Sequence, residues 1–374
     1  MKILHLIDSG GLYGAEKMLL ALVAEQLKLG LQPMILSAGA PNVEEKAMET
    51  EARRLSLPMI SWRMKPGFNP KDSMAIIRWA KAEGYELFHS HGYKFNVLIG
   101  LWPEFFRKIP LMATLHGYVK APRFSKSWVY ETLDRLALRQ MSCVVLVAEA
   151  MKRDIPCSVA KSDFVKVIPN GLDTVRLVQA GSEALGPELE SFIGKHNPLL
   201  LGVGRFSYEK GFDLLVAAFR PVKAQHPGAG LVVIGEGMQR QQLEQQVQDL
   251  GLTESIYMPG YYNNVPALMA RSDLLCMPSR TEGLPITLLE AMAVGVPICA
   301  SDVGEIRTVL GDGRGGTVSA LASAKDLAAD ILHSLEKKEQ MAEAVEWSRQ
   351  RVRQIYSARN MAQQYLDVYQ KALG

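Results

Sequence analysis

Two carboxylates eight residues apart, Glu282 and Glu290, stand in the stretch SRTEGLPITLLEAMAVGVPICAS of residues 279–301. Glu282 falls in a polar loop and Glu290 more than one turn inside a predicted helix, amid Leu288, Leu289, Ala291, Met292 and Ala293. A carboxylate on so apolar a helix must meet water, a cation or a ligand hydroxyl. The helix N-terminus, opened by Pro285, supplies unpaired N–H groups and a partial positive charge that favour a phosphate. Two readings stay open. Glu282 caps the helix and Glu290 sits on its wet edge, or the two hold the hydroxyls of a phosphorylated ligand. Arg205 and Lys210 lie in GVGRFSYEKGFD, between a predicted strand and a predicted helix. Two cations beside a helix N-terminus can clamp a diphosphate, though the same pattern suits a basic surface loop. The loop DSGGLYGAE of residues 8–16 brings backbone close to a ligand through Gly10 and Gly11, or is simply a tight turn. A nicotinamide cofactor is disfavoured there. The G-x-G-x-x-G spacing is absent, and the second strand ends at Ser37 with no acidic residue to hold a ribose. His116 follows a strand and precedes Gly117. His89 and His91 end the strand before it, and their spacing admits a metal but reads better as a hydrogen-bonding scaffold, with no cysteine or carboxylate beside them.

These groups need a frame. Apolar runs predict strands over 2–7, 33–37, 57–61, 87–90, 111–115, 143–147 and 164–168, with helices such as 15–29 and 72–82 between them. The alternation resumes with strands at 199–203, 231–235, 256–260, 274–277 and 296–300 and helices at 212–225 and 286–294, the latter stopped by Gly295. Beyond Gly315-Gly316 come helices over 322–335, 336–355 and 357–373. Strict strand–helix alternation argues for doubly wound parallel sheets, which bind ligands at the carboxyl ends of their strands. At 374 residues, two such domains are expected. Asn170-Gly171 makes a tight turn closing the first half, and 174–197 reads as a linker with an initial helix.

The E-x7-E pair in EGLPITLLEAMAVGVP, the clamp G-R-F-x-x-E-K-G-F-D and the element N-G-L-D at 170–173 occur in the order found in family 4 of the retaining glycosyltransferases. The chain resembles that family over nearly its whole length. The resemblance implies the GT-B fold, in which two Rossmann-like domains face each other across a cleft. Residues 1–172 would form the acceptor-side domain and 173–356 the nucleotide-sugar donor domain, with a helix over 357–374 crossing back onto the first. It implies a retaining transferase that moves a sugar from a UDP- or GDP-sugar to a hydroxyl acceptor, carbohydrate or lipid-linked, in surface polysaccharide, lipopolysaccharide or glycolipid synthesis. Carried over residue by residue, Arg205, Lys210, Glu282 and His116 become catalytic. Gly11, Gly204, Arg205, Lys210, Glu282, Gly283, Leu284, Pro285 and Glu290 become donor-binding. No cofactor is implied, and no obligatory metal, since the chain contains no Asp-x-Asp. A sugar-nucleotide epimerase or phosphorylase on the same fold and a non-catalytic sugar-nucleotide binder are the alternatives. A phosphorylase would normally carry a lysine for pyridoxal phosphate, and a binder has no use for a leaving-group clamp.

Composition excludes other classes. Hydrophobic content of 48% with 22% charged residues belongs to a water-soluble globular protein, and no apolar run approaches 18 residues. The N-terminal MKILHLI reads as a strand rather than a signal peptide. Cys143, Cys157, Cys276 and Cys299 lack ligand-like spacing and read as reduced thiols, which points to the cytoplasm. Charge divides unevenly. Residues 1–170 carry 23 Lys and Arg against 16 Asp and Glu, and the remainder 19 against 23. Trp62, Trp79, Trp102 and Trp128 fall in or beside the basic stretch 61–126, with LWPEFFRK at 101–108. Tryptophans and cations together suggest peripheral docking on an anionic inner-membrane surface, while tryptophans in a core and lysines on a solvated face explain the same residues. The sugar-nucleotide motifs argue against a nucleic-acid partner.

Overall fold

The computed structural model describes residues 1–8, 10–65, 67, 69–117, 126–153, 155, 159, 163–320 and 323–373. Cys157 lies outside the described residues. The chain divides into two compact units, Met1–Leu172 with Ala358–Gly374, and Asp173–Ser357. Among the described residues, no helix is long and apolar enough to cross a membrane.

The first unit holds a seven-stranded parallel sheet of β1 (Lys2–Ile7), β2 (Gln32–Gly39), β3 (Met59–Arg63), β4 (Leu87–Ser90), β5 (Leu111–Leu115), β6 (Cys143–Leu146) and β7 (Val165–Val167). Its order is β3-β2-β1-β4-β5-β6-β7. Strand alternation sends neighbouring residues to opposite faces. Leu4, Ala113 and Val144 join one core with Phe88 and Phe95. Ile3, Met112 and Val145 join another with Met18 and Leu22. The C-terminal helix Ala358–Leu373 closes that second face. Met361, Ala362, Tyr365 and Tyr369 recur at helical spacing and are all buried in it. The Ala358 amide donates to Leu172 O at 2.8 Å, and the Gly171 amide meets Met361 Sδ at 3.1 Å.

The second unit holds a six-stranded parallel sheet of β8 (Leu199–Val203), β9 (Gly230–Ile234), β10 (Ile256–Gly260), β11 (Leu274–Met277), β12 (Ile298–Ser301) and β13 (Thr317–Ser319). Its order is β10-β9-β8-β11-β12-β13. In both units the connections reverse direction beside the first strand, at β1/β4 and at β8/β11, which is the 3-2-1-4-5-6 order of a Rossmann sheet. The short edge strand β13 is not among the expected elements. Residues 174–197, expected as a linker with an initial helix, form that helix, Thr174–Ala180, and a second, Pro187–Ile193, both in the second unit.

Two parts of the basic-aromatic stretch differ from the interfacial reading. Trp62, Trp79 and Trp102 are partly buried and packed against the first core, and Trp102 donates from Nε1 to Ser73 Oγ at 3.0 Å. Arg107 is fully buried and donates to the carbonyls of Trp102 and Gln140 at 3.2 and 2.7 Å. An apolar stem with a hydrogen-bonding head can fill a core as well as a surface, so residue type alone does not place it. Arg63 is likewise engaged, in a bidentate pair with Glu49 at 2.8 and 2.7 Å.

Candidate active site

In the second unit the predicted clamp leaves the carboxyl end of β8, and the predicted carboxylate loop leaves that of β11. These neighbouring strands bracket the switch point of the sheet. The chain passes from Gly204 through a 3-10 turn, Tyr208–Lys210, into the helix Phe212–Gln225. Gly211 makes the corner in the left-handed region at φ 65°, where an added Cβ would lie 2.1 Å from Pro278 O. Only glycine fits there. The corner turns Lys210 toward the second loop. Its Nζ donates to Glu282 Oε1 at 2.6 Å, and Ser279 Oγ donates to the same oxygen at 2.6 Å. Arg205, on the same loop, is exposed.

Backbone contacts fix the carboxylate loop. The Glu305 amide donates to Gly283 O at 3.1 Å. Gly304, at φ 58°, lies so close beneath that its Cβ would come within 2.1 Å of Glu282 O. Pro285 is buried and sets the N-cap of the helix Ile286–Val294, with Gly283 and Leu284 just before it. Glu290 is 6% exposed in that helix, between buried Leu289 and Ala291. A residue the sequence reading passed over ties the two loops together. Arg280 donates to Asp213 Oδ1 and Oδ2 at 2.8 and 2.7 Å and to Tyr208 O at 2.8 Å. Its guanidinium lies 4.2 Å from the centroid of the Tyr208 ring. The Arg280 hydrogen bond holds the Asp213 carboxyl below its ordinary range. The final Asp of the clamp motif is therefore an anchor for the turn that carries Lys210.

Gly11 and His116 belong to the first unit. Gly11 follows β1, and a Cβ there would touch the Tyr13 ring at 2.6 Å. Asp8, at the start of that loop, accepts from Lys46 Nζ at 2.8 Å and Lys94 Nζ at 2.6 Å. Burial works to raise the Asp8 carboxyl, but these hydrogen bonds outweigh it and lower it. His116 leaves the carboxyl end of β5 with Nε2 at 3.4 Å from His91 Nδ1. Its Nδ1 is buried and has no hydrogen-bond partner among the described residues. Burial pushes the His116 imidazole down to about 4.

His89 and His91 stand in a wider set that includes His5. His5 Nδ1 meets His91 Nε2 at 3.0 Å, and His5 Nε2 meets Gln26 Oε1 at 2.8 Å. His89 meets Tyr369 Oη and Thr114 Oγ1, each at 2.8 Å. The three rings lie close enough for a shared ion, but all six of their ring nitrogens have protein partners. Burial lowers all three imidazoles, His5 to about 4, and neighbouring imidazoles lower His89 and His91 further. His5 left a trace as the polar residue of an apolar strand. Tyr365 and Tyr369, more than 250 residues away, left none beyond helical spacing. A surface depression lined by Pro187, Phe192, His196 and Tyr257 contains none of the predicted site residues.

Two family models match the chain in tandem, Glycosyltransferase Family 4 over residues 13–176 and Glycosyl transferases group 1 over 190–351. The chain belongs to the group 1 glycosyltransferases of the GT-B fold. It is 27% identical to the 2-deoxystreptamine N-acetyl-D-glucosaminyltransferase of Streptomyces fradiae, over 84% of this chain and 80% of that protein. It is also 27% identical to the glycogen synthase of Mycobacterium tuberculosis, over 71% of this chain and 64% of that enzyme's own length. The crystal structure of Anabaena Alr3699/HepE in complex with UDP superposes with a TM-score of 0.82 at 22% identity, over 99% of this chain and 100% of that one. That likeness establishes the fold.

Proposed function

We propose that the chain is a retaining glycosyltransferase that moves a sugar from a nucleotide-diphosphate donor, a UDP- or GDP-sugar, to a hydroxyl of a carbohydrate or lipid-linked acceptor in surface polysaccharide, lipopolysaccharide or glycolipid synthesis. The observation that carries this reading is the Lys210–Glu282 pair at 2.6 Å, on two loops that bracket the switch point of the second sheet, with Arg205 exposed on the same loop as Lys210. Arg205 and Lys210 neutralise charge on the leaving diphosphate, a preorganised electrostatic role. Glu282 holds Lys210 in place and accepts from sugar hydroxyls, Glu290 holds the ribose, and His116 contacts the transferred sugar. The anomeric carbon–phosphate oxygen bond breaks as the acceptor oxygen bonds the same face of that carbon. The acceptor proton passes to the departing phosphate oxygen, so no side chain acts as general base and no divalent metal is obligatory. The UDP held by the similar Anabaena Alr3699/HepE structure supports the donor class. Thermal-shift screening against UDP, GDP and their sugars tests it, since a ligand at 100 times its Kd adds ~2.7 kcal/mol. Proton NMR of fresh product tests retention, and an inverted anomer rejects it. Complete, reversible loss of turnover in EDTA rejects metal independence. Consumption of donor without any acceptor points instead to the epimerase alternative.

A finer proposal concerns where the acceptor is met. The first unit docks on an anionic membrane through Phe105 and Phe106, which are 71% and 54% exposed with ring centroids 4.4 Å apart, beside Lys108. Aromatic rings favour the interface, and each nearby cation adds roughly 1 kcal/mol at an anionic leaflet. Co-sedimentation with anionic vesicles should weaken with salt and fall in a Phe105→Ser, Lys108→Glu variant. Arg107 is left alone because it is buried. Equal recovery in the supernatant with neutral and anionic vesicles ends the idea.

A further inference from the structure

The hydrogen bonds of the histidine set run in one direction. Gln26 is fully buried, and its Nε2 donates to Tyr369 Oη at 2.9 Å. Its Oε1 therefore faces His5 Nε2, and a carbonyl oxygen only accepts, so His5 carries its proton on Nε2. His5 Nδ1 is then an acceptor, and the 3.0 Å contact requires a proton on His91 Nε2. His91 Nδ1 is in turn an acceptor, and the 3.4 Å contact requires a proton on His116 Nε2. The other branch follows from the same carboxamide. Tyr369 accepts from Gln26 and donates to His89 Nδ1, which leaves His89 Nε2–H to donate to Thr114 Oγ1. His5, His89 and His91 are buried and His116 is half-buried, and desolvation holds all four low, so each has one proton to place at neutral pH.

We infer that Gln26, His5 and His91 are positioning residues that fix His116 as the Nε2–H tautomer, so that its buried Nδ1 presents a lone pair to a hydroxyl of the transferred sugar. This rests on the reading of His116 as the sugar contact and deepens it. A ring held in this way accepts and does not donate at Nδ1. It favours a donor sugar that brings a hydroxyl proton to that point and rejects one that brings a carboxylate, which offers no proton and meets an opposing lone pair. A neutral hexose or amino-sugar nucleotide fits, and a uronic acid with its carboxylate directed there does not. The last helix also takes a part in the set, because the Tyr369 hydroxyl accepts from Gln26 Nε2.

Ring nitrogen NMR of the full chain, with 15N-labelled histidine at pH 7.5, reads the tautomer without any turnover. His116 signals are assigned by difference with His116→Gln. The expected result is an unprotonated Nδ1 and a protonated Nε2 on His116. The opposite assignment, Nδ1–H with bare Nε2, overturns the inference. Gln26→Leu and His91→Phe should mix the His116 tautomers and lower kcat/KM about 10-fold, while UDP or GDP affinity by calorimetry stays within twofold. Gln26→Glu keeps an acceptor for His5, though not a donor for Tyr369, and should leave the His116 signals as in the wild type. An unchanged His116 spectrum in folded His91→Phe overturns the relay. If the wild-type protein turns over no sugar nucleotide, the proposed function fails, and the wild-type spectrum still decides the tautomer.

Discussion

The two units share one sheet order but furnish their switch points with opposite chemistry. Around β8 and β11 the second unit places charged, partly exposed groups: Lys210, Glu282, Arg205, and the Arg280–Asp213 pair that steadies them. Around β1, β4 and β5 the first unit places neutral imidazoles, buried His5, His89 and His91 and half-buried His116, joined through Gln26 and two tyrosines. Topology thus fixes where a ligand can bind and leaves the means open. Exposed charges can act on a charged ligand through the field. A buried neutral network acts through direction, because each donor has one acceptor.

Acid is expected to separate the units most strongly. The folded pKa of His5 and of His116, about 4, lies below the ordinary 6.5. As pH falls from 6.5 toward 4 the unfolded chain takes the protons first, and stability is lost across that window. Each of these rings contributes on the order of 3 kcal/mol, and His89 and His91 act in the same sense. Asp134 opposes them. Burial raises it to about 6, so the folded state binds its proton first and gains stability as pH drops through 6. One carboxyl does not offset four imidazoles. Amide exchange should show the first unit losing protection between pH 6.5 and 4.5 while the second, whose Asp213 is depressed below the carboxylate range, keeps it. Equal loss in both units breaks the contrast. Asp134→Asn should steepen the first unit's loss.

Turnover is expected to separate them next. Lys210→Ala and Arg205→Ala should each reduce kcat ~10²–10³-fold, about 3–4 kcal/mol, with folding stability changed by no more than about 1 kcal/mol. Near wild-type turnover in either variant would remove that residue from the diphosphate clamp.

What was legible in the sequence follows from how local the signal is. β1, β4, β5, β8, β10 and β11 have the bounds their apolar runs predict, because each run is ended by a polar residue, a glycine or a proline. The helix Ile286–Val294 stops where Gly295 adopts φ 89°. β13 was missed because three residues at a sheet edge make no apolar run. Arg107 and three tryptophans could be assigned to neither surface nor core, because their composition suits either side. The carboxylates and cations at strand ends could be picked out as candidates, since charge in a loop before a helix is visible locally. The Arg280–Asp213 anchor and the histidine relay were not, since each depends on side chains brought together by the fold from 21 to 343 positions apart.

The smallest effect tests whether the charged loops need their anchor. Arg280 is 22% exposed and Asp213 28%, so their pairing adds only about 0.5–1 kcal/mol to folding. Its geometry matters more. The guanidinium fork reaches both Asp213 oxygens and Tyr208 O, while the Arg280 amide donates to Glu209 O at 2.7 Å. Lysine keeps the charge but cannot reproduce the fork. Arg280→Lys should therefore lower the melting temperature by only about 2–4 °C, yet cut kcat roughly 10-fold, because a shift near 1 Å in a positioned group costs far more in rate than in stability. KM for the donor should rise less than kcat falls. If Arg280→Lys loses stability and rate in equal proportion, the turn is held by bulk packing alone. If it loses neither, Gly211 and the Lys210–Glu282 pair suffice to hold it.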